Sequence, residues 1–367
     1  MKSQPLTALA VFAVSLVLYQ LLREPGNFFC AHVRVAYALV HDHSFKIDGI
    51  RSATVVNGVH YSVAVEEVVN GFSLHPPLPG ILSVPFVLLG ITNQTTISIL
   101  FGAVTVALAY LLTNSLWIAA FFAFGTPFGY EVSGGRSWGM CLTLSCLFTV
   151  TALLLRKRGG ILQGLAAGAA ALCRYDLALV WPIHWMLAKR RRINLVAGME
   201  CALIAYLLLN LFRFGTIFDH SIATWYARDP FRFHVGDHGP FSIHYAAYNL
   251  YTTLFMAPQF DPRWIARPSF AGQALILTSP ALVLALRPSL FTGEALLLWL
   301  AVLLGMGGAM FVWANGFEQF GCRYWIQVMP FLILLMSECP VDQMAKILIV
   351  ASIAVTTVGT LQMRGVI

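Results

Sequence analysis

Long apolar runs alternate with short polar breaks along this chain, and two of the breaks are far longer than the rest. The apolar runs cover residues 5–22, 80–91, 97–113, 115–130, 137–155, 160–173, 176–188, 193–212, 271–286, 295–314, 324–337 and 346–363. A membrane-spanning helix needs about 20 apolar residues, so the pattern predicts an all-α polytopic membrane protein of about eleven spans plus one partial helix. The partial helix is 80–91: it is short, contains Pro85 and follows Pro76-Pro77-Leu78-Pro79. The two long breaks are Arg23–His75 and Arg213–Phe270. Within them, Ala31–Val40 and Phe241–Phe255 are rich in aromatic and apolar residues, as expected of helices lying in the membrane interface.

Basic clusters orient the runs. Arg156-Lys157-Arg158 and Lys189-Arg190-Arg191-Arg192 flank apolar stretches and read as cytoplasmic anchors. The residues between them must leave the cytoplasmic side and return, so they form a hairpin whose turn, Cys173-Arg174-Tyr175-Asp176, opens outward. The run 193–212 then exits and places Arg213–Phe270 outside. Counting from a cytoplasmic Met1 places Arg23–His75 outside as well, provided that 80–91 does not cross. The turns Tyr130–Ser137 and Gly316–Arg323 join the loops on that face. Met1–Leu22 resembles a signal peptide, but no small-residue cleavage site follows, and it reads as a retained first helix.

Composition agrees with a membrane bundle. The chain is 58% hydrophobic and 11% charged with a mean hydropathy of +0.75, whereas soluble domains carry about 25% charged residues. A single membrane domain over 1–367 is expected, with no appended soluble domain. The net charge of +7 lies largely in the anchoring clusters, so it does not point to nucleic acid. Of the seven cysteines, Cys141, Cys146, Cys173 and Cys201 fall within helices as small core residues. Cys30 and Cys322 both face outward and are a candidate disulfide. No CxxC or zinc-type spacing occurs, and Asn93-Gln94-Thr95 reads as a chance match to a glycosylation sequon.

Nine of the ten histidines lie in the two loops. Arginine is the main outer cation: Arg34, Arg51, Arg136, Arg174, Arg213 and Arg323 all fall near helix ends or loop helices. A guanidinium fork suits a phosphate at that depth. The alternative for each is pairing with a carboxylate or snorkelling. Arg174-Tyr175-Asp176 is the most specific polar insertion, although Asp176 also fits simple neutralisation of Arg174. His75 is held by rigid Pro76-Pro77-Leu78-Pro79-Gly80, as a cap or as a substrate contact. Candidate general bases are Asp42, Asp48, Glu66, Glu67 and Glu131, and Glu66-Glu67 also fits plain solvated charge. His41-Asp42-His43 looks like a metal cluster, but helical neighbours point in different directions, so no metal is expected there. No P-loop, nucleophile elbow or HExxH is present.

Several short motifs occur together in order. Asn57-Gly58-Val59-His60-Tyr61-Ser62 precedes His75-Pro76-Pro77-Leu78. Phe124-Gly125-Thr126-Pro127, Cys173-Arg174-Tyr175-Asp176 and Phe320-Gly321-Cys322-Arg323-Tyr324 follow. This pattern resembles the C-type (GT-C) glycosyltransferases, in particular the bacterial branch similar to protein O-mannosyltransferases and lipid A aminoarabinose transferases. The resemblance covers nearly the whole chain. It implies a GT-C-like bundle with outer loops 23–76 and 213–270, and an inverting transfer from a polyprenyl-phosphate sugar. The acceptor would be a lipid, glycan or protein on the outer face of a plasma (inner) membrane. It implies phosphate or substrate contacts from His75, Arg174, Tyr175, Asp176, Arg323, Arg136 and Tyr61, and no nucleotide. Such enzymes commonly carry an Asp just after the first helix. Here Glu24-Pro25-Gly26-Asn27-Phe28-Phe29 stands in its place, so Glu24, Asp48, Glu66 or Glu131 is expected as the catalytic carboxylate. Two other readings remain at this stage: a transporter or flippase of lipid-linked sugars, which predicts charges lining a path through the bundle, and a non-catalytic relative of these transferases.

Overall fold

The computed structural model describes residues 4–25, 27–48, 54–56, 59–61, 68–226, 238–260, 266–267, 272–313 and 320–366. It is mostly helical, and among the described residues one three-stranded and two two-stranded antiparallel sheets lie in the two long loops. Among the described residues, five helices are long and apolar enough to cross a membrane. They are α1 (Gln4–Leu21), α4 (Gln94–Thr113), α7 (Ser137–Leu155), α10 (Arg192–Phe214) and α16 (Gln343–Met363). In α4 and α7, 56% and 67% of the apolar window is buried, against 17% in α1, so α4 and α7 form the centre and α1 lies at the rim. The remaining apolar runs are shorter or broken: α3 (Leu78–Leu88), α5 (Leu116–Phe124), α6 (Phe128–Gly134), α8 (Ile161–Cys173), α9 (Trp181–Leu187), α14 (Glu294–Met310) and α15 (Met329–Ser337).

The breaks have local causes. The run 115–130 divides into α5 and α6 because Pro127 has no N–H to give the carbonyl four residues earlier. That carbonyl, of Ala123, instead accepts from the Tyr19 hydroxyl of α1 at 3.1 Å. The run 271–286 is cut at Ser279-Pro280 into a single turn, α13 (Leu275–Thr278), and a 3-10 segment, Pro280–Leu286. α3 behaves as the sequence suggests. Its 11 residues span about 16 Å, short of a bilayer core of about 30 Å. Just beyond it the chain is capped into α4 by Asn93, whose Oδ1 accepts from Thr96 N at 3.0 Å. The Asn93 side chain therefore has a structural use.

α8 and α10 meet through small residues. A Cβ on Gly164 would lie 2.0 Å from Leu195 O, and one on Gly198 would lie 2.4 Å from Ile161 O. This is the close backbone approach that small residues permit in apolar bundles. The two ends of the bundle differ in charge. At one pole Glu294 bridges Lys189 (2.6 Å) and Arg156 (3.6 Å), and Arg287 pairs with Asp342 at 3.0 Å. Both basic clusters lie at this pole, and both long loops lie at the other.

The first loop departs from expectation in one respect. The sequence predicts an interfacial helix here, yet in α2 (Ala31–His41) the residues Ala31, His32, Val33, Arg34, Val35, Ala36 and Ala38 are buried. α3 covers it so closely that a Cβ on Gly80 would stand 2.7 Å from Val35. In the second loop, helix α12 (Ala246–Phe255), preceded by α11 (Ser221–Tyr226), keeps exposed Tyr248, Leu250, Tyr251 and Phe255, as an interfacial helix does.

Candidate functional site

The loop pole is built on α2. Its N-cap, Cys30, offers no side-chain bond to the first turn, so the His32 and Val33 amides must find their acceptor elsewhere. Gln94 supplies it from α4. Its Oε1 accepts from His32 N (3.1 Å) and Val33 N (3.3 Å), and its Nε2 donates to Gly135 O (2.9 Å). A single buried side chain thus fastens the first loop to the α6–α7 turn. Buried Arg34 donates to Ile47 O at 2.9 Å. Buried Arg213, at the end of α10, donates to Ser73 O and stands 3.8 Å from Asp219. These two arginines hold the loop that carries His75.

Between the loops and the helix ends lies a cavity of about 190 Å³. Trp138 and Cys141 of α7, Tyr324, Trp225 and the end of α14 form its walls, with Arg174, Tyr175 and Asp176 among its lining residues. The lining is mostly apolar, as small-molecule sites usually are. Arg174 Nη2 lies 3.4 Å from Asp176 Oδ2, and Arg174 Nε donates to Gln327 Oε1 at 2.9 Å. Gln327 Nε2 donates to the same Asp176 Oδ2 at 2.6 Å and to Gly305 O at 2.7 Å. The Arg174 guanidinium also stacks 5.1 Å over the Tyr324 ring. Tyr175 turns its ring toward Tyr206, 4.9 Å away.

His75 and Arg323 meet this cavity through its aromatic wall. His75 is fully buried and packs edge-on against Trp138 at 4.5 Å. Arg323 lies 6.0 Å from the Trp138 ring and 5.6 Å from Tyr324. Of the residues singled out from the sequence, Arg174, Tyr175 and Asp176 line the chamber, whereas His75 and Arg323 lie behind its Trp138 and Tyr324 wall.

The expected catalytic carboxylates do not. Glu24 pairs with Arg136 at 3.0 Å, and its backbone N–H donates to Ser133 O. Glu131 is buried under Gly139, where a Cβ would meet Glu131 Oε2 at 2.5 Å. Arg323 and Arg136 lie close enough to the Glu131 carboxyl to interact with its charge. Glu24, Glu131, Arg136 and Arg364 form a charged layer behind the chamber, with Arg364 donating to Ser133 Oγ at 2.7 Å. None of them lines the cavity. Asp48 is exposed over the Asn70-Gly71 turn of the hairpin Val68–Ser73. Arg51, Glu66 and Glu67, as well as the Tyr61 side chain, lie outside the described residues. Asp176 is the carboxylate that the cavity contains.

His41, Asp42 and His43 are all exposed at the end of α2. Other expectations need revision. Cys30 and Cys322 form no disulfide, and Cys322 is buried against Gln273 O at 3.4 Å. Cys201 is exposed rather than in the core. Cys141 is more than a packing residue: its Sγ stands 3.3 Å from His32 Nε2.

A repeated signal in the sequence, easily passed over, also belongs to this site. Cys-Arg-Tyr occurs twice, at 173–175 and 322–324. Each copy leads into a six-residue 3-10 segment, Tyr175–Val180 or Arg323–Val328, and then into a helix with proline in its first turn. The two copies face one another across the chamber through Arg174, Tyr324 and Gln327. No protein-family model matches the chain, and neither a curated protein nor a solved structure does.

Proposed function

We propose that this chain is an inverting glycosyltransferase of GT-C-like architecture, embedded in the plasma (inner) membrane, with its loop pole outward. It takes a sugar from a polyprenyl-phosphate donor and passes it to a lipid, glycan or protein acceptor. One observation carries the reading: a largely apolar chamber at the loop pole holds one guanidinium and one carboxylate, Arg174 and Asp176, beside Trp138 and Tyr324. An isoprenoid chain needs apolar walls, its phosphate a fixed cation, and its sugar an aromatic face. The opposite pole carries the basic clusters, which supports the orientation. In the full reading of about eleven spans, the broken helices cross in pairs, each pair making up the length that one of its members lacks.

The chemistry follows from these groups. The acceptor hydroxyl gives its proton to Asp176 as its oxygen attacks the anomeric carbon. The bond from that carbon to the phosphate oxygen breaks with inversion, and polyprenyl phosphate leaves with its charge stabilised by Arg174. Gln327 orients both groups, since it bonds to each. Arg323 and His75 support the chamber from behind Trp138 and Tyr324.

The test is turnover of polyprenyl-phosphate sugars by purified protein, with Arg174→Ala and Asp176→Asn beside wild type. Each variant should lose at least about 100-fold in kcat/KM. Unchanged turnover in both variants, or no turnover by wild type with any such donor, refutes the proposal.

A further inference from the structure

We propose that His32, His75 and Cys141 form a zinc site whose open coordination position faces the chamber. One ligand atom from each of these three buried residues lies within 4.8 Å of the others. They come from three separate elements: α2, the segment before α3, and α7. Helical periodicity or local spacing did not force this meeting.

The donor set selects the ion. Two imidazoles and a thiolate suit zinc, whereas magnesium and calcium require oxygen ligands. Zinc–nitrogen bonds of about 2.0–2.1 Å and zinc–sulfur bonds of about 2.3 Å place tetrahedral ligand atoms roughly 3.3–3.7 Å apart. Cys141 Sγ and His32 Nε2, at 3.3 Å, already stand at that separation. The His75 ring centroid lies 5.3 Å from that of His32, within reach of a small rotamer adjustment.

The surroundings hold each ligand in place. Gln94 anchors the turn bearing His32. Ser73 Oγ accepts from His75 N at 3.1 Å, and the prolines that follow stiffen the backbone beyond it. Ser137 O lies 3.0 Å from His32 Nε2, so binding the ion through this nitrogen exchanges that contact for the metal. Of the two cations nearby, Arg174 pairs with Asp176 and Arg323 faces the Glu131 carboxylate. Three protein ligands leave a tetrahedral ion one vacant position, the arrangement of catalytic rather than structural zinc. Cys141 lines the cavity, so an ion on its thiolate stands at the chamber wall, where its vacant position fits an oxygen ligand such as water, a hydroxyl or a phosphate oxygen.

The experiment uses the full chain in detergent, stripped with a chelator, freed of any affinity tag and without substrate. It therefore reads the site independently of glycosyl transfer. Cobalt(II) titration should give one bound ion per chain and a near-ultraviolet thiolate-to-cobalt charge-transfer band, which zinc abolishes by displacement. Cys141→Ser should lose the band, and His32→Asn and His75→Asn should each weaken zinc binding at least about tenfold. Cys201→Ser, at an exposed cysteine on α10, should leave both readouts unchanged. The proposal is overturned if monodisperse wild-type protein binds no stoichiometric cobalt, or if the band survives in Cys141→Ser.

Discussion

Replacing Gln94 with leucine tests how the loop pole is held together. Leucine keeps most of the volume, so the change removes hydrogen bonds with little cavity. Three bonds go: those from His32 N and Val33 N, and the one to Gly135 O. Gln94 is fully buried, so water cannot replace them without opening the packing. A buried backbone group left unsatisfied costs about 1–3 kcal/mol. Partial relaxation of three such groups brings the expected loss to about 3–6 kcal/mol. Unfolding titrated with SDS in mixed micelles measures it. Hydrogen exchange, read by mass spectrometry over peptides from 31–41, should show lost protection in α2, and zinc affinity should fall because His32 rides on that helix. Gln94→Glu keeps an acceptor for the two amides but sets a carboxylate oxygen against Gly135 O, so it should fall between leucine and wild type. If Gln94→Leu unfolds within about 1 kcal/mol of wild type and α2 keeps its protection, the side chain does not cap the helix and the reasoning fails.

Three further outcomes are expected. Tyr19→Phe removes the hydroxyl that serves Ala123 O beside Pro127 and should cost about 1–3 kcal/mol in the same titration, whereas adding Pro127→Ala to it should recover part of the loss by restoring a backbone donor. Glu294→Gln, which breaks the half-exposed pairs to Lys189 and Arg156, should cost less than about 1 kcal/mol, and a larger loss would mean that this pole is less hydrated than its exposure indicates. Asp342 caps α16, and its carboxyl is held below the usual range mainly by the Ala345 N–H, with help from Arg287. A depressed folded value means that its stabilisation is complete above the unfolded value of 3.8 and is lost as pH falls through the folded one. Wild-type stability should therefore converge on that of Asp342→Ala in acid, which unfolding titrations across that range will show.

The periodic and polar pattern foretells a good deal of this. Pro85 and the brevity of 80–91 are enough to demote α3, and the basic clusters mark the two poles. Arg174-Tyr175-Asp176 stands out because charge within an apolar hairpin is costly and therefore functional or paired; the structure has it both paired and lining the chamber. What stays illegible is non-local. Nothing near Pro127 says that Tyr19, 104 residues before Ala123, answers the bond that Pro127 leaves unmade. An apolar helix such as Ala31–His41 reads alike whether lipid or α3 covers it, so its burial and the role of His32 are hidden. Glu24 and Glu131 look like bases because they are carboxylates at the loop pole. Only three-dimensional packing separates the charged layer behind the chamber from Asp176 within it.

That charged layer has a consequence in time. Glu24 follows the first helix, Glu131 and Arg136 lie in the middle of the chain, and Arg364 follows α16. During synthesis the carboxylates and Arg136 are present long before Arg323 and Arg364 emerge. Until Arg364 is made, the layer lacks one of its two cations. A chain halted before α16 would hold Glu24 and Glu131 with Arg136 but without Arg364. The layer behind the chamber therefore closes only after the chamber's own lining, from Leu74 to Tyr324, has been made.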